Sequence, residues 1–250
     1  MRKQRVLIVA AHPDDEVLGA GIWLHRNAGY DRHVLHITDG SPRDMEDARA
    51  QGFRTRRAYA RARRRELSAA LRMMGIPPRN CHRCDYPDKE AHLHFAELIT
   101  ELEFLIRKLE PSLVVTSAYE GGHPDHDAAA FAVATVRRRV PTFRVLEFPL
   151  YHSDAQGEMV TGEFLCPDLP ASEEGLTLSP AERELKSHML DCFVTQRKIL
   201  SVFSLNREPI RTTPDYDFAQ APHAGPLLHE RWGWGISGAT WREKALCAHP

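Results

Sequence analysis

The apolar positions follow two rhythms. Val6-Leu7-Ile8-Val9-Ala10-Ala11 is an unbroken aliphatic run, the pattern of a parallel strand buried on both faces. A polar turn follows. Residues 17–26 then take helical spacing, with Gly29 as the stop. Residues 33–38 read as a second strand ended by Asp39-Gly40. Leu67, Leu71 and Met74 mark one face of a long helix over 54–74, closed by Gly75 and Pro77-Pro78. A short strand is predicted at 80–84. Next comes a helix over 91–108, with Leu98, Leu102 and Leu105 on one face. Pro111 breaks that helix before a strand at 113–117, and a helix over 127–138 and a strand over 143–150 complete the series. Alternation of this kind means parallel βαβ units, hence a doubly wound, mostly parallel α/β sheet with helices on both faces. Beyond Tyr151 only a helix over 180–200 is clear. The last fifty residues, rich in Pro, Gly, His and Trp, predict loops packed over the sheet edge. There is no internal repeat or low-complexity linker, so residues 1–250 are read as one domain. Residues 1–150 form its core, and 151–250 form an elaboration that shapes the substrate pocket.

Composition narrows the function. Hydrophobic residues make up 42% and charged residues 27%, with a formal net charge of -1, so no global field points to nucleic acid or membrane. The apolar run after the basic start, Met1 to Arg5, is too short for a signal segment. No stretch approaches the roughly 20 residues of a membrane helix. Five irregularly spaced cysteines argue against a disulfide framework and for a reducing compartment. A cytoplasmic location is expected.

Two motifs carry chemistry. Ala11-His12-Pro13-Asp14-Asp15-Glu16 follows the first strand, and Gly122-His123-Pro124-Asp125-His126-Asp127 follows the fourth. Ligands of open α/β sheets bind beyond the carboxyl ends of the strands, where the strand order reverses. In the common order 3-2-1-4-5, strands one and four are neighbours at that point, so the motifs face each other. They offer imidazoles and carboxylates, the ligand set of a catalytic zinc with three protein ligands and one open position. Such a metal brings the pKa of its water to about 7. A neighbouring carboxylate takes the proton, and a second histidine, kept charged by an aspartate, stabilises the oxyanion or protonates the leaving amine. The residues alone leave open which of Asp14 and Asp15 ligates and which acts as base.

This motif pair resembles the PIG-L/LmbE-type N-acetylglucosaminyl deacetylase family, over roughly residues 5–150. The resemblance implies a Rossmann-like fold and a zinc-dependent hydrolase that removes the acetyl group of an N-acetylglucosamine-type sugar or conjugate. It assigns His12, Asp15 and His126 to the metal, Asp14 to the general base, and His123 to the tetrahedral intermediate. It makes Asp125 the carboxylate that orients His123. Arg63, in Arg63-x-x-Glu66, matches an arginine that contacts substrate, and Asp88 matches an aspartate bound to sugar hydroxyls. Lys186 and Gln196 lie in a helix resembling a later family pattern and receive no role. The implied partner is a small N-acetylated sugar or glycoconjugate. Fe2+ or another divalent ion suits the same ligand set.

Blander readings compete. Asp14 or Asp15 is a natural N-cap for the first helix, and the histidines of the second motif could be ordinary loop residues, but two such clusters on neighbouring strand ends exceed capping. Glu16 reads as structural. The arginines between Arg49 and Arg65 read first as a solvated helix face. Cys81-His82-Arg83-Cys84 lacks a second Cys-x-x-Cys and reads as coincidence. Gly19-Ala20-Gly21 lacks the dinucleotide register. His223, His229, Trp232 and Trp234 suit either packing or a lid over a sugar. Two other functions compete with the deacetylase: a metal amidase for a mycothiol- or bacillithiol-like conjugate, and a scaffold that lost its chemistry. The complete residue set argues against the scaffold.

Overall fold

The computed structural model describes residues 4–165 and 175–248. The chain runs β1 (Arg5–Ala10), α1 (Asp15–Arg26), β2 (Asp31–Pro42), α2 (Glu46–Ala50), α3 (Arg56–Met73), β3 (Cys81–Asp88), α4 (Phe95–Leu109), β4 (Leu113–Ser117), α5 (Pro124–Arg139) and β5 (Arg144–Phe148). It continues through β6 (Tyr151–Ser153), β7 (Met159–Thr161), β8 (Leu176–Thr177), α6 (Pro180–Asp191), α7 (Arg197–Leu200), β9 (Arg207–Glu208), β10 (Arg211–Thr212), α8 (Leu228–Arg231) and α9 (Gly238–Ala248). The main sheet has the order β10-β5-β4-β1-β2-β3. All its pairs are parallel except β10 with β5. The predicted order 3-2-1-4-5 is therefore observed, with an antiparallel strand added at one edge.

The side chains of β1 alternate between two cores. Leu7 and Val9 pack with Leu98, Leu102, Phe131 and Trp241. Val6 and Ile8 pack on the other face with Ile22, Leu67, Leu71 and Met189. Continuous hydrophobicity is what a strand with both faces covered requires.

Four departures from the sequence reading matter for the site. The second strand runs on to Pro42 and the third to Asp88, the two staying paired at Pro42 and Asp88 across register shifts. The short α2 was not predicted. The helix expected over 180–200 breaks after Asp191 into a turn at Val194–Gln196 and α7. The final stretch holds α8 and α9 as well as loops; Trp241 of α9 packs edge-on to Phe95 and Phe131 and donates Nε1–H to the Pro124 carbonyl at 3.0 Å. Aperiodic apolar positions and flanking glycines hide that helix from a periodicity argument. No helix among the described residues is long and apolar enough to cross a membrane.

Candidate metal centre

Strands β1 and β4 run side by side from Val6↔Leu113 to Val9↔Thr116. The two motifs therefore leave the sheet at the same end, one leading into α1 and the other into α5. His12 Nδ1 lies 3.2 Å from His126 Nε2. Asp15 closes the triangle, with Oδ2 3.4 Å from His12 Nδ1 and Oδ1 3.4 Å from His126 Nε2. Ligands 2.0–2.2 Å from a tetrahedral ion stand about 3.3–3.6 Å apart, so this donor set suits one divalent ion. All three residues are buried.

The groups behind the triangle orient it. His12 turns Nε2 to Asp88 Oδ1 at 3.1 Å, the carboxylate partner that fixes a ligating imidazole. The His12 backbone N–H donates to Asp15 Oδ2 at 2.8 Å. Burial raises the Asp15 pKa, but His126 and His12 outweigh it and hold the carboxyl well below the usual range.

Asp14 stands at the N-cap position of α1, yet its side chain caps nothing and its φ is 142°. A non-glycine residue in that region carries strain that its surroundings must hold. Arg63 supplies the hold: it donates to Asp14 Oδ2 at 2.9 Å, the Pro13 carbonyl at 3.0 Å and the Gly40 carbonyl at 2.6 Å. Gly40 sits at φ 64°, and a Cβ there would lie 2.5 Å from the Arg63 guanidinium, so the close approach requires glycine. Burial pushes the Asp14 carboxyl up to about 8 against the pull of Arg63.

His123 begins α5, and its Nδ1 accepts the Asp125 backbone N–H at 3.1 Å. The neutral ring therefore keeps its proton on Nε2, which lies 3.3 Å from Asp88 Oδ1. Burial, with His12 close by, lowers its pKa to about 4. The family resemblance implies that Asp125 orients His123; here the Asp125 backbone N–H bonds the His123 ring and its carboxylate stands apart. The Asp125 carboxylate stands 4.0 Å from Nδ1 and is taken up by the backbone N–H groups of Lys89 and Ala91, at 2.6 and 3.0 Å. Asp88 serves His123 instead.

The remaining candidates take definite places. Asp88 and Arg63 both border the cavity, but Asp88 Oδ1 is shared by two histidines and the Arg63 fork is engaged by Asp14 and two carbonyls. Glu16 accepts from the Asp14 N–H and His36 Nε2, a structural role that ties the first turn to β2. Glu66 accepts from the N–H and hydroxyl of Thr195, tying α3 to the turn that holds Gln196. Gln196 borders the cavity and donates to Tyr59 Oη at 2.6 Å. Lys186 is buried against Glu208, far from the triangle in role. Cys81 and Cys84 are both free.

The cavity holds about 230 Å³ and is bordered by His12, Asp14, Asp15, His123, His126 and residues of the later chain, among them Tyr151, Phe203 and Trp234. A cavity of similar size, about 220 Å³, lies between α3 and β2–β3 and shares only Pro13 with the two motifs. Tyr151 packs edge-on to His126 and Trp234 edge-on to His123. Tyr151, Lys89, Glu46 and Asp47 were not foreseen as bordering residues. They belong to no motif and reach the site only through the fold. Gly122 lets the β6 backbone in, since a Cβ there would lie 1.9 Å from the Tyr151 carbonyl oxygen.

Fold and site define a doubly wound α/β protein with a buried His/Asp metal-binding group at the switch point of its sheet. The family described as PIG-L, GlcNAc-PI de-N-acetylase, matches residues 7–136, just over half of the chain, and the chain belongs to that family. Two relatives bear the name probable N-acetyl-alpha-D-glucosaminyl L-malate deacetylase 2. The one from Bacillus cereus is 28% identical over 64% of this chain and 73% of its own length. The one from Bacillus anthracis is 32% identical over 61% and 70%. Among solved structures, the N,N'-diacetylchitobiose deacetylase of Pyrococcus horikoshii aligns with a TM-score of 0.61 at 18% identity, covering 85% of this chain and 84% of that one.

Proposed function

We propose that this protein is a metal-dependent N-deacetylase of an N-acetylglucosamine-type sugar conjugate, releasing acetate and a free amine. The observation that carries this reading is the convergence of His12, Asp15 and His126 with the Arg63-held carboxylate of Asp14 beside them. Membership of the PIG-L family and the names of the two relatives support the same bond and the same sugar.

The three converging residues would hold the ion, with zinc proposed for the His/His/Asp set. When bound, such an ion polarises the acetyl carbonyl and lowers the pKa of water to about 7. Asp14 takes one proton from the attacking water, whose oxygen bonds to the acetyl carbon. His123 presents Nε2–H to the developing oxyanion. The C–N bond then breaks, its electron pair stays on nitrogen, and the proton held by Asp14 reaches the departing amine. Burial of the whole set keeps these charges from solvent screening.

The test is acetate release from N-acetylglucosamine and its conjugates by metal-stripped and zinc-reconstituted protein, with Asp14→Asn alongside. Release that depends on metal and falls by about 10²–10⁴-fold in Asp14→Asn is expected, with metal content retained. An Asp14→Asn protein of ordinary turnover would remove Asp14 from the mechanism.

A further inference from the structure

The outer part of the cavity has a charge and a surface of its own. Among the described residues its border carries the carboxyl groups of Asp14, Asp15, Glu46, Asp47 and Asp88 against two Lys/Arg cations, Arg63 and Lys89. Both cations are already engaged by the protein. Arg63 is buried, its two terminal guanidinium nitrogens bond Asp14, Pro13 and Gly40, and its buried Nε–H has no partner among the described residues. Lys89 pairs with Asp44 at 2.9 Å and lies over the Trp234 ring at 4.8 Å. Arg197 and Lys198 adjoin Ile199 in sequence but do not border the cavity. Any charge of a divalent ion in the centre would be met by the buried carboxyl groups around it, while Glu46 and Asp47 stand exposed at the mouth.

The opposite wall is aromatic. Tyr151, Phe203 and Trp234 border the cavity. Trp232 continues the wall outward, 5.0 Å from Trp234 and 5.9 Å from Tyr151 between ring centroids, with 42% of its surface exposed. An exposed tryptophan beside a site offers a flat face to a ring and an attractive one to a cation.

Resting on the deacetylase reading, we infer that the site selects a glucosaminide whose aglycone is a neutral or cationic ring, stacked on Trp232, and disfavours aglycones bearing carboxylate or phosphate. An anionic aglycone would meet Glu46 and Asp47 while the neighbouring cations, Arg63 and Lys89, are already paired with Asp14 and Asp44, and like charges at an interface are costly. This separates the chain from what the names of its relatives suggest, since malate is a dicarboxylate.

The test compares four N-acetylglucosaminides at low and high salt: methyl, phenyl, glucosaminyl and malyl. The expected order of kcat/KM is glucosaminyl and phenyl above methyl, with malyl at least about tenfold below phenyl at low salt and the gap narrowing as salt screens the mouth. The double substitution Glu46→Lys with Asp47→Lys, both exposed, should close or invert the gap to malyl. Trp232→Ala should lower kcat/KM for phenyl and glucosaminyl more than for methyl. A malyl glycoside preferred by the unaltered protein, or a charge reversal without effect on the ratio, overturns the inference. Binding of the corresponding free amines, followed by tryptophan fluorescence, separates the two readings. If no glycoside releases acetate but the amines bind in the stated order, the deacetylase reading falls and the selectivity stands. If acetate is released in the reverse order, only the selectivity falls.

Discussion

Asp14 occupies a backbone conformation, φ 142°, that a non-glycine residue rarely takes. The strain is tolerable because Arg63 grips the turn at Pro13 and the carboxylate at Asp14 in one fork. Arg63 is on this view a positioning residue, and its substitution has a distinctive signature. Arg63→Met should keep the metal, since His12, Asp15 and His126 are untouched, and should lower kcat by about 10²-fold through misplacement of the base. Arg63→Lys should not rescue it, because one ammonium cannot span three acceptors in a planar fork. Metal stoichiometry measured beside kcat and KM decides the matter. A rise confined to KM would return Arg63 to the substrate-contact role that the family resemblance implies.

Elements show a second use of buried charge. Helix α1 is kinked at Ala20, where φ is -145°, and the backbone N–H groups of Ile22 and Trp23 turn to Glu208, both at 2.8 Å. Lys186 of α6 neutralises that carboxylate at 2.8 Å and donates as well to the Leu18 carbonyl. The pair is almost wholly buried. Lys186→Met would leave an uncompensated carboxylate in the core and is expected to cost about 3–5 kcal/mol of stability, read from denaturant midpoints. At the sheet edge, burial pushes Glu147 up to about 7, although Arg211 and Tyr216 both bond its Oε1. A carboxyl whose folded pKa is raised favours the fold fully below its ordinary 4.5, and that contribution is lost as pH rises through about 7. The wild type should lose stability between pH 5 and 8 by an increment that Glu147→Gln lacks, whatever the absolute stability of the variant. Parallel pH profiles for the two proteins would refute the assignment.

At the scale of the whole molecule, the metal-binding group joins segments more than a hundred residues apart, His12 and Asp15 with His126. An ion bound only by the folded chain stabilises it by mass action, by about 2.7 kcal/mol at a hundredfold excess over its dissociation constant. Stripping the metal should lower Tm, zinc should restore it, and His126→Ala should abolish the difference. An equal Tm with and without metal would mean that the triangle binds no ion.

Much of this protein was legible in its sequence. The aliphatic run at Val6–Ala11 announced a strand buried on both faces, because burial admits no polar alternation. Alternating strand and helix patterns implied the parallel sheet, since parallel strands need crossovers. The two motifs that hold His12, Asp15 and His126 were readable because each follows a strand whose carboxyl end faces the switch point, but which of their residues would ligate came from the family resemblance. What stayed hidden depended on distant backbone. The carboxylate facing His123 is Asp88, from the far end of β3, and not its sequence neighbour Asp125, because the start of α5 points the Asp125 carboxylate at the amides of Lys89 and Ala91. Gln196, Tyr151 and Trp234 reach the cavity from later segments of the chain whose packing no periodicity records. Local pattern determined the strands and helices of the sheet core and the two motifs that offer chemistry. Only the tertiary structure decided their partners, since side-chain partnership is set by the packing of elements remote in the chain.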